Sequence, residues 1–542
     1  PRLSRALSTL LVLLTAACGG GEGGGGGAAV EGPPANGGTA VLGVLTDFSG
    51  LNPVTNTSIL TYDVMKQALF TPLVMHDAKL EPQPYLAKSW ELTDTSVVFH
   101  LRDDVMWHDG EPVTAEDVKF TFDLAKNPTT ASLLGSAYLA QVKSATVIDP
   151  HTIRFSFEAP HSQALEDFWW APLPKHLLKD VSPENLAQAP FNQHPVGSGP
   201  FRFVSWTHNQ ELVLAADTAF PEGLGGRPRL DRVVFRIIPE PTTMLTELVS
   251  GGIDFAGYTL LPDQAVQLKN QSGIDVRHAT SREFTYLGWN NDRPQFEDPQ
   301  VRRALAMAIN RPEIIHALLH DYATEAVGMI PPWSPMYSEV EPLPYDPAAA
   351  KQLLTQSGWT DTNGDGIVEH GGQPLRFTIL VNSANQLHKD IGTVIQQELR
   401  KLGADVQIST VEFQTLLKQH KARNYDAVIS NWTLDNFKVD PTPLFSCEQA
   451  HTPGSANRAG FCDPVIDSLI TRGVRTTAPA AAKQIWARFT KELQQRQPVT
   501  FLFWADDLAA LGPRLQNVTT DARGKLVNLP EWWIPEGMQR QQ

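Results

Sequence analysis

Residues 425–467 read YDAVISNWTLDNFKVDPTPLFSCEQAHTPGSANRAGFCDPVID. The first six residues form a short apolar run whose β-branched content predicts a buried strand. The run leads into a segment with an indole, Trp432, and two carboxylates, Asp435 and Asp440. Asp440 precedes Pro441, a pairing typical of a helix N-cap followed by the first helical residue. Asp435 has no such local role.

Asp435 and Trp432 together suit an ammonium group on a ligand. The carboxylate would supply the opposite charge, and the ring would supply a cation–π surface. An exposed loop aspartate that faces solvent fits the local sequence as well. The residues of this loop therefore leave both interpretations open.

The order of motifs around this loop resembles that of the dipeptide-binding proteins, which belong to the peptide/nickel class of extracytoplasmic solute-binding proteins of ABC transporters. The resemblance extends from about residue 39 to about residue 535. The motifs that carry it here are Asn431-Trp432-Thr433-Leu434-Asp435-Asn436, Asp440-Pro441, Leu444-Phe445-Ser446-Cys447 and Phe461-Cys462-Asp463.

The resemblance implies an α/β, type II periplasmic-binding-protein fold, with two lobes joined by a hinge and an extra domain in the larger lobe. It also implies that Asp435 anchors the α-amino group of a peptide and that Cys447 and Cys462 form a disulfide. The other residues expected at the ligand are Asn431, Trp432, Thr433 and Asn436.

The domain boundaries follow from the same resemblance and from breaks rich in glycine and proline. We expect domain I at 39–77, 194–295 and 499–542, domain II at 78–193, and domain III, the lobe that closes on ligand, at 296–498. The pattern at 375–410, strand then helix then strand, is a βαβ unit typical of α/β proteins.

The first residues have the features of an export signal. Arg2 and Arg5 precede an apolar run at 6–17, which is too short to span a bilayer and has the size of a signal peptide. The ending LTAAC resembles a bacterial lipobox, which predicts cleavage before Cys18 and a lipid anchor on that cysteine. Residues 19–38 are mostly glycine and predict a flexible tether. Removal of residues 1–17 takes the formal net charge from −15 to −17.

Composition narrows the function further. The 542 residues are 42% hydrophobic and 19% charged, which is ordinary for a globular chain with a large core. No basic patch interrupts the acidic balance, so we expect no nucleic-acid partner. The sequence contains no GxSxG, GxxxxGK[ST], HExxH or CxxC signature, so we expect neither an enzyme nor a cofactor.

Three short motifs suggest chemistry but have simpler explanations. Trp107-His108-Asp109-Gly110 contains a His/Asp pair, yet Asp109-Gly110 is a turn signal and no nucleophile accompanies it. His316 and His320 share a helix face at four-residue spacing, but no third metal ligand is evident. Residues 361–366, DTNGDG, resemble the start of a calcium loop, whose twelfth position is a glycine here; a turn explains them too.

One departure from the dipeptide-binding proteins bears on the ligand. In that family an arginine that holds the ligand carboxylate follows the strand matching 375–381, and here 381–385 reads VNSAN. The sequence therefore predicts a ligand anchored by its amine, such as a peptide longer than two residues. A nickel chelate or an oligosaccharide in the same fold, an exported hydrolase and a surface receptor are the alternatives. The expected partners are a peptide, a permease and, through the lipid, the membrane, with the protein itself a monomer.

Overall fold

The computed structural model describes residues 33–258 and 260–540, so the predicted signal peptide and the lipidated Cys18 lie outside the described residues. Strands β1 to β19 are, in chain order, Thr39–Val44, Val74–His76, Pro82–Pro84, Ala87–Thr93, Ser96–Leu101, Val142–Asp149, Thr152–Phe157, Phe201–Thr207, Glu211–Ala216, Arg232–Ile237, Phe255–Tyr258, Asp275–Trp289, Ala323–Glu325, Glu369–His370, Gln373–Pro374, Arg376–Asn382, Asp405–Val411, Ala427–Thr433 and Val499–Leu511.

Helices α1 to α15 are Ile59–Val64, Ala115–Lys126, Lys175–Leu178, Pro241–Val249, Pro262–Lys269, Pro294–Glu297, Pro299–Met307, Arg311–Leu319, Pro347–Gln356, Gln386–Lys401, Phe413–Lys421, Thr442–Phe445, Cys447–His451, Pro464–Arg475 and Pro479–Arg496. Among the described residues, no helix is both long enough and apolar enough to cross a membrane.

One large mixed sheet carries both lobes. Its strand order is β17-β16-β18-β12-β19-β11-β1-β10-β9-β8, with β13 attached to β19. The strands β11, β1, β10, β9 and β8 belong to the first lobe, together with the separate antiparallel sheet β4-β5-β7-β6. The strands β16, β17 and β18 belong to the second lobe. The parallel pair β16 and β17, joined by α10, is the βαβ unit that the sequence predicts.

The long central strands β12 and β19 connect the two lobes. Their antiparallel pairing shifts register between Thr280 and Phe284 and again between Thr285 and Tyr286. Before these bulges Val276 packs in the first lobe, and after them Leu287 is buried in the core of the second. Because bulges bend and twist a strand, this short stretch is where the lobes can change their relative angle. The domain boundaries on either side stay predictions.

Each lobe has an apolar core of its own. The aromatic run 168–170 is buried in the core of the first lobe. In the second lobe, Ile391 and Ile395 of α10 pack on Ile379 of β16. Residues 33–38 of the predicted tether are described, and Gly37 already donates a backbone hydrogen bond to the first lobe at Arg229.

Side chains accept hydrogen bonds at several helix starts. Asp298 accepts a hydrogen bond from the amide of Gln300 at the start of α7, and Asn310 accepts one from Glu313 at the start of α8. Asp440 accepts from the amide of Thr442, but α12 begins one residue later than predicted.

One helix-face prediction is wrong. Helix α8 ends at Leu319, and His320 follows in a left-handed conformation with φ 50°. Its ring contacts Asp263, whereas His316 contacts Asp321. The two imidazoles therefore do not share a helix face, because the backbone turns away between them.

Candidate functional site

A cleft lies between the lobes beside the bulged part of β12. It consists of three chambers that share lining residues, and Thr433 at the end of β18 lines all of them. The first chamber, about 230 Å³, is lined mainly by Ile59, Tyr62, Leu133, Tyr138 and Asp435. The large chamber, about 480 Å³, is lined by Asn385, His388, Phe413, Trp432, Asp435 and Arg458 among others. The acidic chamber, about 200 Å³, is lined by Asp63, Glu283, Asp506, Asp507, Arg282 and Lys525 among others.

Asp435 stands where the first and large chambers meet. Its side chain is open to solvent at the cleft surface, although protein atoms of both lobes surround it. No described residue donates a hydrogen bond to its carboxylate. Partial burial raises the pKa of Asp435, and the nearby charge of Arg282 opposes this shift. The carboxylate is thus an acceptor without a partner, in a place where desolvation increases its attraction for a cation.

The backbone of Asp435 is held from both sides of the cleft. Its carbonyl oxygen accepts a hydrogen bond from the hydroxyl of Tyr138 in the first lobe at 2.5 Å. The same oxygen accepts one from Nη1 of Arg282 in β12 at 3.2 Å. The carboxylate is therefore carried on a fixed main chain, as a ligand-anchoring group requires.

Asn431 and Thr433 hold a second carboxylate in place. In the β12–β18 pairing Thr433 lies opposite Glu283, and Asn431 lies two residues away, opposite Thr285. Asn431 Nδ2 donates to Glu283 Oε1 at 2.7 Å, and Thr433 Oγ1 donates to Oε2 at 3.0 Å. Asn431 Oδ1 lies 2.8 Å from Nε2 of His388, and burial lowers the pKa of His388, so the imidazole is neutral and donates here. The polar groups of Asn431 and Thr433 are thus engaged with protein partners.

Trp432 and Asn436 occupy different surroundings. Trp432 lines the large chamber and packs on the second-lobe core. Asn436 is buried, and its Oδ1 accepts a hydrogen bond from the amide of Lys438 within the turn after β18. The side chain of Asn436 lines none of the three chambers.

The segment 437–439 docks the second lobe onto the first. Phe437 stacks on Trp169 with ring centroids 4.8 Å apart, and it is buried in the first-lobe core. Lys438 pairs with Asp167 across the lobes, and the amide of Val439 donates to Oε1 of Gln163 at 3.0 Å. These contacts join the two lobes directly beside the cleft.

Comparison with known proteins decides the family. The family model for bacterial extracellular solute-binding proteins, family 5 (middle region), matches residues 81–451, which is more than half of the chain. The chain belongs to this family.

Individual family 5 relatives agree with that assignment. The oligopeptide-binding protein AppA of Bacillus subtilis is 29% identical over 517 residues, which cover 93% of each chain. Its structure in complex with a nonapeptide gives a TM-score of 0.75 at 26% identity, covering 93% of this chain and 100% of that one. NikZ of Campylobacter jejuni, in complex with Ni(L-His), gives 0.75 at 26% identity, covering 91% and 99%.

These structural relatives have the type II periplasmic-binding-protein fold, so the predicted fold class is confirmed. Family 5 members bind solutes outside the cytoplasm, and this chain is accordingly an exported solute-binding protein.

The protein also contains the disulfide that the family resemblance implies. Cys447 at the start of α13 is bonded to Cys462, which lies two residues before the start of α14. Cys447 N also donates to Asp467 in α14 at 2.8 Å. The bond therefore ties the segment that follows Asp435 to the body of the second lobe.

The His/Asp pair at 107–110 and the segment at 361–366 that resembles a calcium loop both have structural roles. His108 Nε2 lies 2.9 Å from the carbonyl of Gly199, and Asp109 contacts His176, so the two side chains do not form a dyad. In the loop after α9, carboxylate oxygens of Asp361, Asp365 and Glu369 lie within 4.8 Å of one another. Each of the three accepts hydrogen bonds from the loop itself, which accounts for the predicted turn.

Apart from Asp435, the charged residues of the cleft were not predicted from the sequence: Asp63, Arg282, Glu283, Arg458, Asp506, Asp507 and Lys525. Arg282 and Glu283 are adjacent opposite charges in β12, a strand whose later residues are mostly apolar. Charges in such a strand are unusual, and they could have indicated that this part of β12 lines a cleft. Arg458 lies in an irregular segment with no local signal. Among the described residues that line the large chamber, Arg458 is the only arginine and there is no lysine.

Proposed function

We propose that this protein captures peptides in the interlobe cleft and delivers them to the permease of an ABC transporter. The observation that carries the proposal is the carboxylate of Asp435, which has no donor among the described residues and stands at the junction of two chambers in a solute-binding fold. The names of the relatives AppA of Bacillus subtilis and its nonapeptide complex point to peptides as the solute.

The proposed binding step uses the chemistry of the peptide's amino end. The α-ammonium group would donate to Asp435, which the cleft partly desolvates and for which no other described residue provides a donor. A charge-assisted hydrogen bond of this kind contributes about 1.5–3 kcal/mol. Trp432 and the side chains at the end of β18 would flank the first residues of the peptide. Closure of the lobes at the β12–β19 bulges would then enclose it.

The far end of the peptide has a different candidate partner. Asn382 and Asn385 stand where the dipeptide-binding arginine is missing, and both line the large chamber. Arg458 lines the same chamber, and its guanidinium Nε is buried without a hydrogen-bond partner. We assign to Arg458 the attraction of a carboxylate, which suits a peptide of more than two residues in a chamber of about 480 Å³.

Calorimetry with peptides of increasing length tests this proposal. Alanine di-, tri- and pentapeptides would each be measured with a free and with an acetylated amino end. The proposal expects binding to depend on the free amine and to strengthen beyond two residues. Equal binding of the acetylated and free peptides would contradict the role of Asp435. A mass-spectrometric check for cleaved products would separate a carrier, which returns the peptide intact, from a hydrolase.

The proposal includes a position at the cell envelope. Residues 1–17 would act as the signal peptide, Cys18 would carry the lipid, and the glycine-rich tether would let the monomeric binding protein reach the permease. Metabolic labelling with a tritiated fatty acid, compared between the chain and its Cys18→Ser variant, tests this part separately.

A further inference from the structure

We infer that the acidic chamber is a subsite for the lysine or arginine side chain of a bound peptide, with Asp63 and Glu283 as its acceptors. The inference rests on the proposed function and adds a preference for basic residues to it. The chamber lies next to Asp435, since it shares Arg282 and Thr433 with the first chamber.

Asp63 provides the first observation. Its side chain belongs to α1 and is 2% exposed. Oδ2 accepts a hydrogen bond from the hydroxyl of Tyr258 at 3.0 Å, whereas Oδ1 has no partner. Gly524 stands opposite, where a Cβ would lie 3.1 Å from both carboxylate oxygens. A side chain at position 524 would therefore crowd the carboxylate of Asp63, which lines the chamber with one acceptor unused.

Glu283 provides the second carboxylate without a cation. Its two hydrogen-bond donors, Asn431 and Thr433, are neutral. By contrast, the other two acids of the chamber are paired: Asp506 lies 2.7 Å from His278, and Asp507 lies 2.8 Å from Lys525. Arg282 makes no salt bridge with Asp63 or Glu283 within 4.0 Å, and its Nη1 instead donates to the carbonyl of Asp435.

Burial raises the pKa of both acids. The charges of Lys66, Arg282 and Lys525 oppose this shift in the pKa of Asp63. At Glu283 the hydrogen bonds from Thr433 and Asn431 oppose the rise in pKa. Leaving a buried acceptor unsatisfied is unfavourable, and a charged one more so. A cation that enters the chamber would give the unsatisfied oxygen of Asp63 a donor and would give Glu283, whose donors are neutral, a counter-charge.

The spacing of the acids favours an organic cation over a metal ion. In the described part of the chain, the only group of three or more metal-ligating side chains whose ligand atoms lie within 4.8 Å is that at Asp361, outside the cleft. The described residues of the acidic chamber therefore include no set of three carboxylates close enough together to hold one metal ion. A guanidinium or ammonium group at the end of an apolar stem, with several donors, matches separated acceptors better. A volume of about 200 Å³ suits a single side chain.

The test is a set of alanine pentapeptides in which one position at a time carries lysine, arginine, norleucine or glutamine. Calorimetry would give the affinity of each for the wild-type protein and for the variants Asp63→Asn, Glu283→Gln and Asp123→Asn. Asp123 is the matched control, because it is an exposed carboxylate on α2 paired only with Lys119.

We expect lysine or arginine at one position to bind about tenfold more tightly than norleucine, a difference of about 1.4 kcal/mol. Asp63→Asn and Glu283→Gln should each reduce that preference to less than about threefold, and Asp123→Asn should keep it. Equal affinity of basic and neutral peptides for the wild-type protein would overturn the subsite and leave the proposed function intact. A preference for basic peptides that persists in both Asp63→Asn and Glu283→Gln would likewise overturn the subsite and leave the proposed function intact. Absence of binding by every peptide would instead overturn the proposed function, and the subsite with it.

Discussion

The Nζ of Lys438 in the second lobe lies 3.0 Å from Oδ1 of Asp167 in the first lobe. The side chains are 6% and 0% exposed, so the pair is buried in the interface that closes the cleft. Nε2 of His161 lies 2.6 Å from the other oxygen of Asp167. Since Lys438 follows Asp435 by three residues, the lobe contact and the proposed anchor belong to one short segment.

Replacing Lys438 by an uncharged residue should reduce peptide affinity more than it reduces the stability of the fold. In Lys438→Met, closure would bury Asp167 without its cation, and removing one partner of a buried pair costs several kcal/mol. The open form escapes that cost because water reaches Asp167. We expect peptide affinity to fall about tenfold or more, as measured by calorimetry.

The control for Lys438→Met is Lys119→Met, which breaks an exposed pair with Asp123 on α2. Surface pairs contribute at most about 1 kcal/mol to stability and nothing to closure here. Peptide affinity of this variant should stay within about twofold of the wild-type value. An equal loss in both variants would show that lobe closure does not depend on Lys438.

Neutralising Asp435 should reduce the affinity for peptides with a free amino end more than the affinity for acetylated peptides. Asp435→Asn preserves shape and removes the charge that attracts an ammonium group. We expect about a tenfold to hundredfold loss of affinity for peptides with a free amino end, corresponding to 1.5–3 kcal/mol, and little change for acetylated peptides. Calorimetry on both peptide types measures the difference. A similar loss for both would point to a structural role of Asp435 instead.

Binding should also weaken in acid earlier than an ordinary aspartate would dictate. Burial raises the pKa of Asp435 above its usual 3.8, with Arg282 opposing the shift. Only the charged carboxylate attracts an ammonium group, so affinity should fall as the pH falls through this raised pKa. A calorimetric series from about pH 7 to about pH 4 measures the fall.

In this series Asp435→Asn is the reference for the other titrating groups, among them Glu283. Its residual binding should show a flatter pH profile than that of the wild type. Identical profiles for the two proteins would exclude Asp435 as the titrating group.

The disulfide should stabilise the second lobe. Cys447 and Cys462 are 15 residues apart, and closing a loop of that length contributes about 3 kcal/mol on the chain-entropy model. The free energy of unfolding of the double variant Cys447→Ser/Cys462→Ser, measured by urea titration, should be lower by about 3 kcal/mol. The wild type in reducing agent is the matched control and should behave like the variant. Unchanged stability in both would mean that the helices α13 and α14 hold this segment without the bond.

Much of the fold was predictable because its signals are local. The βαβ unit at 375–410 follows from alternating strand and helix patterns, and caps such as Asp298 follow from a side chain and an amide two residues apart. The wrong expectation for His320 has a local cause too, since helical spacing does not reveal that a residue has left the helix. The division into lobes came from the family resemblance, because bulges in paired strands leave no pattern in a single strand.

The site was only partly predictable because it joins distant parts of the chain. Asp435 was identified from its loop, yet the partners that fix its carbonyl, Tyr138 and Arg282, lie 297 and 153 residues away in sequence. Asn431 was expected at the ligand, but its side chain donates to Glu283 on the neighbouring strand, and a single sequence does not show which strands are neighbours. Polar residues in one motif can therefore have different roles, and only their three-dimensional partners separate them.

Native mass spectrometry of the gently purified protein, followed by denaturation and identification of the released small molecules, tests the central claim most directly. The account predicts a heterogeneous set of peptides with free amino ends, mostly longer than two residues, at one peptide per protein chain. Release of a single sugar or metal chelate, with no peptide, would contradict it and would mean that Asp435 has a different partner.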